Sequence, residues 1–243
     1  MLTKMEKEGR EYEDVLKEAQ AMGYAERNPE ADVEGHDACR KIAILSSLAF
    51  GRHVDFEDIY TEGITRITAT DFKYARVMQK SIKLLGYSKK DGDKFYAMVT
   101  PALVGPSDPL YSVNDVFNAI FVHGNVLGDA MFYGRGAGKL PTASAVVADV
   151  VDEAKHLHRN IMFFWSTHKL ELTDISNSRK QFFVRASGVA DHKKIRSLFG
   201  NVEFISVPGV EGEYGFVTEV MTEAQYQKCA EKLGTVISMI RIR

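Results

Sequence analysis

The sequence predicts an α+β protein in two parts: a mixed sheet with helices over residues 1–175, then a βαββαβ unit over residues 176–243. Three observations predict it. Apolar residues recur at three- and four-residue spacing through the first third of the chain, the period of an amphipathic helix. From Lys94 the period changes to two, with β-branched and aromatic runs. Beyond residue 180 short strand and helix patterns alternate in the order strand, helix, strand, strand, helix, strand.

Residues 2 to 21 place Leu2, Met5, Val15, Leu16 and Ala19 opposite a charged side and are broken around Gly9, so they read as one or two helices. A chain that opens directly in a helix reads as the later part of a longer protein. Asp37 to Phe50 is a second helical segment, with Ile42, Leu45, Leu48 and Ala49 on its stripe and Gly51 at its stop. Phe72, Ala75, Met78, Ile82 and Leu85 extend a third helix over 70–85, with Gly86 as its stop. Strands are expected at Phe95–Val99, Val116–Val122 and Val126–Tyr133, with His123-Gly124-Asn125 as the turn between the last two. Helix returns over Thr142–Leu157. Ile161–Trp165 is an apolar run suited to core or a subunit interface, and Thr173–Lys180 reads as a polar linker holding the boundary near 175. The second part follows as strand 181–186, helix 191–199, strands 202–207 and 214–220, helix 222–233 and strand 236–242, the ferredoxin-like order.

Composition removes several classes. The chain has 243 residues, 45% hydrophobic and 26% charged, ordinary for a globular domain or two. A net charge of -2 supplies no basic field for nucleic acid or anionic lipid. Cys39 and Cys229 stand far apart in amphipathic runs, which argues against a disulfide framework and for a reducing cytoplasm. No run of eighteen apolar residues suggests a membrane span, and the first residues lack the apolar core of a signal peptide.

Asp37 and Lys41 stand four apart on a predicted helix and so share a face. Oxidation of an alcohol by hydride transfer needs a group to take the hydroxyl proton, and a lysine can do so when burial or charge lowers its pKa. The same spacing also makes the commonest helix-stabilising ion pair. Glu26 and Asp32 lie just before that helix, in a loop rich in turn formers, where carboxylates can grip an ammonium group or simply be solvated. Gly134-Arg135-Gly136-Ala137-Gly138-Lys139-Leu140-Pro141-Thr142 is a glycine-rich passage from strand to helix, suited to an anion at a helix N-terminus or to a tight turn. It is not a P-loop: the glycine spacing is one residue short, and Leu140 stands where a hydroxyl should meet magnesium. His156 and His158 face apart on a helix and lack an acid or cysteine partner, so helix C-terminal charge complementation is the better account and no metal site is expected.

Gly23-Tyr24-Ala25-Glu26 followed by Asn28-Pro29-Glu30-Ala31-Asp32-Val33-Glu34-Gly35-His36-Asp37-Ala38-Cys39-Arg40-Lys41 resembles the signature of homoserine dehydrogenases. The resemblance runs from residue 2 to about 158, through Gly63-Ile64-Thr65, Ser112–Ala119 and Met131–Asp149. It implies interconversion of L-homoserine and L-aspartate 4-semialdehyde with NAD or NADP, in threonine, methionine and isoleucine biosynthesis. It further implies that Lys41 moves the proton, Asp37 orients the substrate, Glu26 binds its amino group, Tyr24 and Asp32 add substrate contacts, and Gly136 and Gly138 touch the cofactor. The family's Rossmann domain, its second active-site lysine and its monovalent cation site would precede residue 1, so the chain alone is expected to transfer hydride feebly or not at all. The family also pairs through its catalytic sheet, implying a homodimer or larger homo-oligomer.

The tail from about 180 looks like an ACT regulatory domain by its element order, with threonine as the family's usual effector. Where many such domains carry an acid-x-Pro-Gly turn, this chain has Gly188-Val189-Ala190-Asp191-His192, and a purely structural or dimer-forming module is an equal reading. The rival for the whole chain is a non-catalytic amino-acid sensor that keeps the homoserine pocket and signals through its oligomeric state. A sensor needs the ammonium grip but has no use for a proton-transferring lysine.

Overall fold

In a computed structural model, residues 1–23, 25–162 and 165–243 are described; Tyr24 and the middle of the Ile161–Trp165 run, Phe163 and Phe164, lie outside them. The amphipathic start folds into α1 (Leu2–Glu8) and α2 (Tyr12–Ala21), which bury Met5 and Val15. Gly9 separates them at φ 66°, a left-handed conformation that lets its N–H close α1 on the Met5 carbonyl. A single turn, α3 (Glu30–Val33), leads into α4 (His36–Phe50), which stops at left-handed Gly51. Short β1 (Arg52–His53) and β2 (Tyr60–Thr61) follow, then α5 (Ala69–Val77), started by a reciprocal capping box between Thr68 and Asp71.

The helix expected over 70–85 ends at Val77. Gln79 turns the backbone left-handed at φ 55°, and Ser81–Asp91 becomes β3. All eleven of its residues pair antiparallel with β4 (Lys94–Val104), a ladder that overrides local helical spacing. Gly86 is therefore not a helix stop. It lies mid-strand under α4, where an added Cβ would stand 3.2 Å from the Ile42 Cβ. β5 (Phe117–Gly124) and β6 (Gly128–Arg135) form a separate hairpin whose turn is 125–127, two residues later than expected. α6 (Lys139–Lys155) follows with Pro141 in its first turn, and β7 (Ser166–Lys169) pairs parallel with β1.

The second part comprises β8 (Arg179–Ser187), α7 (His192–Phe199), β9 (Glu203–Ile205), β10 (Glu213–Val217), the two-residue β11 (Met221–Thr222), α8 (Glu223–Leu233) and β12 (Val236–Ile242). Asp191 caps α7 by accepting from the Lys193 and Lys194 N–H groups. The strand order β12-β8-β10-β9 is the ferredoxin-like order, with β11 added beside the start of β8. The expected polar linker is only a 3₁₀ turn, Ile175–Asn177, before β8 begins at Arg179.

The two parts share one sheet. β12 pairs antiparallel with β8 on one side and parallel with β4 on the other, at Ala102 and Leu103, while β2 takes the same edge of β4 at Met98 and Val99. They also share a core, because β8 alternates: Phe183 packs with Met5, Phe72, Ile82 and Ile240, whereas Phe182 and Val184 pack under α7 and α8 with Ile195, Phe199 and Tyr226. Two buried ion clusters cross between the parts. Arg185 of β8 donates to Asp71 (2.8 Å), to the Thr68 hydroxyl (2.9 Å) and in bidentate fashion to Glu213 (2.9 and 2.6 Å). Arg241 of β12 grips Glu223 through two bonds (2.6 and 2.8 Å) and reaches Glu62 (2.7 Å).

Candidate active site

The loop between α3, which carries Asp32, and α4, which carries Asp37 and Lys41, is held by two glycines. Gly35 begins α4 at φ 79°, and a Cβ there would press on Val99 at 3.1 Å. Gly63 lies against the loop from the other side: a Cβ would fall 2.2 Å from the Val33 carbonyl oxygen and 2.4 Å from the Glu34 Cα. Ile64 N–H donates to that same Val33 carbonyl at 2.7 Å, so loop and support are stitched through backbone. Gly63→Ala is expected to destabilise the protein by about 1–3 kcal/mol, since a backbone atom and not a flexible tip must yield. Urea unfolding checks it; a loss below 0.5 kcal/mol, estimated as roughly the scatter of surface substitutions, would sink the clamp.

α4 sits on the sheet through Ile42 over Gly86 and through a 2.7 Å hydrogen bond between the Ser46 and Ser88 hydroxyls. With its apolar side fixed there, the helix turns Asp37 and Lys41 outward. The Lys41 Nζ donates to Asp37 Oδ2 at 2.6 Å, with the side chains 66% and 49% exposed. The expected face-sharing is present, and the pair is open to a ligand.

Beside this helix lies a cavity of about 420 Å³, of ordinary small-ligand size. Asp32, Ile42 and Leu45 form one wall, Lys83 and Leu85 of β3 the floor, and Asn114, Asn118 and neighbouring residues of β5 the other wall. Asp37 and Lys41 are not in its lining; they stand on the adjoining side of α4. Glu26 is in an exposed loop, its backbone carbonyl accepting from the Gln20 amide at 3.0 Å. Tyr24 lies outside the described residues.

Lys83 was not legible as a site residue, because its stretch was expected to be helical. It is half-buried and donates to the Val113 carbonyl (2.7 Å) and Asn114 Oδ1 (2.8 Å), and burial pulls its pKa below the usual lysine value. Its pairing with Ala102 in the β3–β4 ladder places it on a strand face, a long-range contact that local spacing does not report.

The glycine-rich passage is exposed from Gly134 to Leu140. Gly136 donates to the Val116 carbonyl at 3.1 Å and leaves room for the Asn118 side chain, whose Nδ2 would be 1.3 Å from an added Cβ. Gly136 thus borders a residue of the cavity wall. Gly138, at φ 119° and ψ 147°, leads into α6, and no side chain caps that helix, so first-turn N–H groups face outward. This glycine-only approach to an uncapped helix end fits an anionic group of a dinucleotide. α6 also exposes Val146, Val147, Val150 and Val151 and buries no residue. His156 ends α6 with its Nδ1 donating to the Asp152 carbonyl at 2.9 Å, a capping contact and not a ligand geometry.

A family model described as homoserine dehydrogenase matches residues 1–151. The homoserine dehydrogenase of Bacillus subtilis (strain 168) is 40% identical over 205 residues, covering 82% of this chain and 47% of that protein. That of Neisseria gonorrhoeae is 47% identical over 155 residues, 64% of this chain and 36% of its own length. The chain thus spans half or less of these curated relatives. Among solved structures, a homoserine dehydrogenase from Thiobacillus denitrificans superposes with TM-score 0.87 at 31% identity, over 100% of this chain and 61% of that one. The S. aureus enzyme at pH 6.0 gives 0.80 at 31% identity, over 100% and 62%.

Proposed function

Because this chain belongs to the homoserine dehydrogenase family, we propose that it is the substrate-binding and catalytic portion of an NAD(P)-dependent oxidoreductase interconverting L-homoserine and L-aspartate 4-semialdehyde, serving threonine, methionine and isoleucine biosynthesis. The observation that carries this reading is the Asp37–Lys41 pair, 2.6 Å apart on a helix anchored by Gly35, Gly63 and Gly86. Lys41 takes the proton of the homoserine hydroxyl, and Asp37 orients the substrate and supports Lys41. Glu26 grips the ammonium group of the substrate, and Tyr24 and Asp32 add further substrate contacts. NAD or NADP, when bound, supplies the hydride acceptor. Gly136 and Gly138 touch that cofactor from this chain, and a nucleotide-binding domain outside residues 1–243 holds most of it.

The reading divides the chain at about 175 into a catalytic and dimerisation domain and an ACT-like regulatory domain over 176–243, with threonine as its effector. The ferredoxin-like strand order supports the second part, and the shared sheet with β4 offers a route for an effector to reach the catalytic part. Exposed apolar residues on the β5–β6 hairpin, among them Ile120, Val122 and Phe132, support a homodimer. Cys39 and Cys229 are free thiols, in keeping with a reducing cytoplasm, and among the described residues no helix is long and apolar enough to cross a membrane.

Homoserine-dependent reduction of NADP and NAD tests the proposal, with this chain and with a longer form carrying an upstream nucleotide-binding domain. Activity is expected in the long form and at most a trace in the chain alone. Full turnover by the chain alone would overturn the division of labour. No turnover in either form would favour the amino-acid sensor.

A further inference from the structure

A second cavity, of about 390 Å³, lies on the far end of the β3–β4 ribbon and shares no lining residue with the one beside α4. Its floor is one face of that ribbon. Tyr87 pairs with Met98, Lys89 with Tyr96 and Asp91 with Lys94, so Tyr87, Lys89, Asp91, Lys94 and Tyr96 all project to the same side. Its roof is the chain entering the second part, Asn177 to Lys180.

Charge in this cavity is one-sided. Lys89, Lys94, Arg179 and Lys180 line it against the single carboxylate Asp91, which is taken by Lys89 at 3.1 Å. Lys180 is half-buried, and among the described residues it makes no hydrogen bond or ion pair; its Nζ sits 4.4 Å from the centroid of the Tyr87 ring. Burial pulls the Lys180 pKa down, with Arg241, Arg243 and Lys89 adding repulsion and Glu223 opposing them. This half-buried ammonium lies over an aromatic face and has no ion pair of its own, because the nearby Glu223 carboxylate is already taken by Arg241. Lys94 is likewise unpaired, and the Ser178, Tyr87 and Tyr96 hydroxyls make no hydrogen bond among the described residues.

We propose that this cavity binds a small phosphorylated anion, held by Lys180, Lys94 and Arg179 and by the Tyr96 and Ser178 hydroxyls, and so bridges the β3–β4 ribbon to the start of the second part. Several lysines dispersed around a volume of this size suit a spread of phosphate oxygens, which accept point charges from any direction. A single carboxylate would leave most of the positive charge uncompensated.

Isothermal titration calorimetry on the full chain tests it, with pyrophosphate as the probe and citrate at equal ionic strength as the carboxylate control. Pyrophosphate is expected to bind saturably, with its Kd weakened about tenfold in Lys180→Met, the loss of one charge-assisted contact, and by a similar factor in Lys94→Met. Lys90→Met, on the opposite face of the ribbon, should leave it unchanged. Lys94 is exposed, so its variant reports even where Lys180→Met fails to fold. Affinity unaltered in Lys94→Met, heat no larger than that of chloride at the same ionic strength, or citrate binding as tightly with the same dependence on Lys94 would each overturn the proposal.

Discussion

Lys41→Ala should lower kcat for homoserine oxidation by about 10²–10⁴-fold in the form that carries a nucleotide-binding domain, the range that a positioned proton-transfer group supplies. The fold should scarcely notice. Lys41 is an exposed side chain whose partner is Asp37 across one helical turn, and exposed pairs of that kind contribute about 0–1 kcal/mol. Lys41→Arg should not rescue, because a guanidinium does not give up its proton at working pH. Unchanged kcat in Lys41→Ala would reduce the pair to a surface contact of α4. Equal loss of kcat and of thermal stability would assign the residue to structure and not to chemistry.

Arg185→Met should cost about 3–5 kcal/mol of stability, the expected penalty for stranding a buried charge. Asp71 is fully buried, and Arg185 is its ionic partner; the other donors to its carboxylate, the Ser238 hydroxyl, the Thr68 hydroxyl and the Thr68 N–H, are neutral. Asn at position 71 removes the stranded charge, so the double variant Asp71→Asn/Arg185→Met should recover a substantial part of the loss. Urea unfolding of the single and double variants measures both. A single-variant loss under about 1 kcal/mol, the level of an ordinary surface pair, contradicts the assignment. Since the cluster joins α5 to β8 and β10, both parts of the chain should unfold in one transition.

Local signals were enough for the helices that stop at Gly9 and Gly51 and for the βαββαβ order of the tail, though not for the short β11. Gly9 and Gly51 mark real left-handed ends, and Asp191 caps the helix it precedes. The failures fall where long-range pairing decides. Ile82 and Leu85 fit a helical stripe as well as they fit β3, and only the ladder to β4 resolves them. The polar run around residue 175 reads as a linker, and it holds a tight turn that feeds β8, a strand of the common sheet. In the site, Asp37 and Lys41 were legible because their meeting depends on helix geometry alone. Lys83 was not, since its approach to the cavity depends on β3, and the clamp of Gly63 on Val33 depends on two segments that sequence does not place side by side.

β12 lies between β4 and β8, so a ribosome that has made β4 by residue 104 must wait until residue 236 for the strand that covers part of its edge. Until then β4 offers unpaired N–H and C=O groups at Ala102 and Leu103 within a strand whose second half is buried in the native state. Such an edge is a template for any extended neighbour, and closure across so long a separation is slow. Nascent chains halted before β12 should therefore aggregate and not wait as a folded first half, and a prolonged arrest during synthesis would be more damaging here than in a protein whose parts close one after the other.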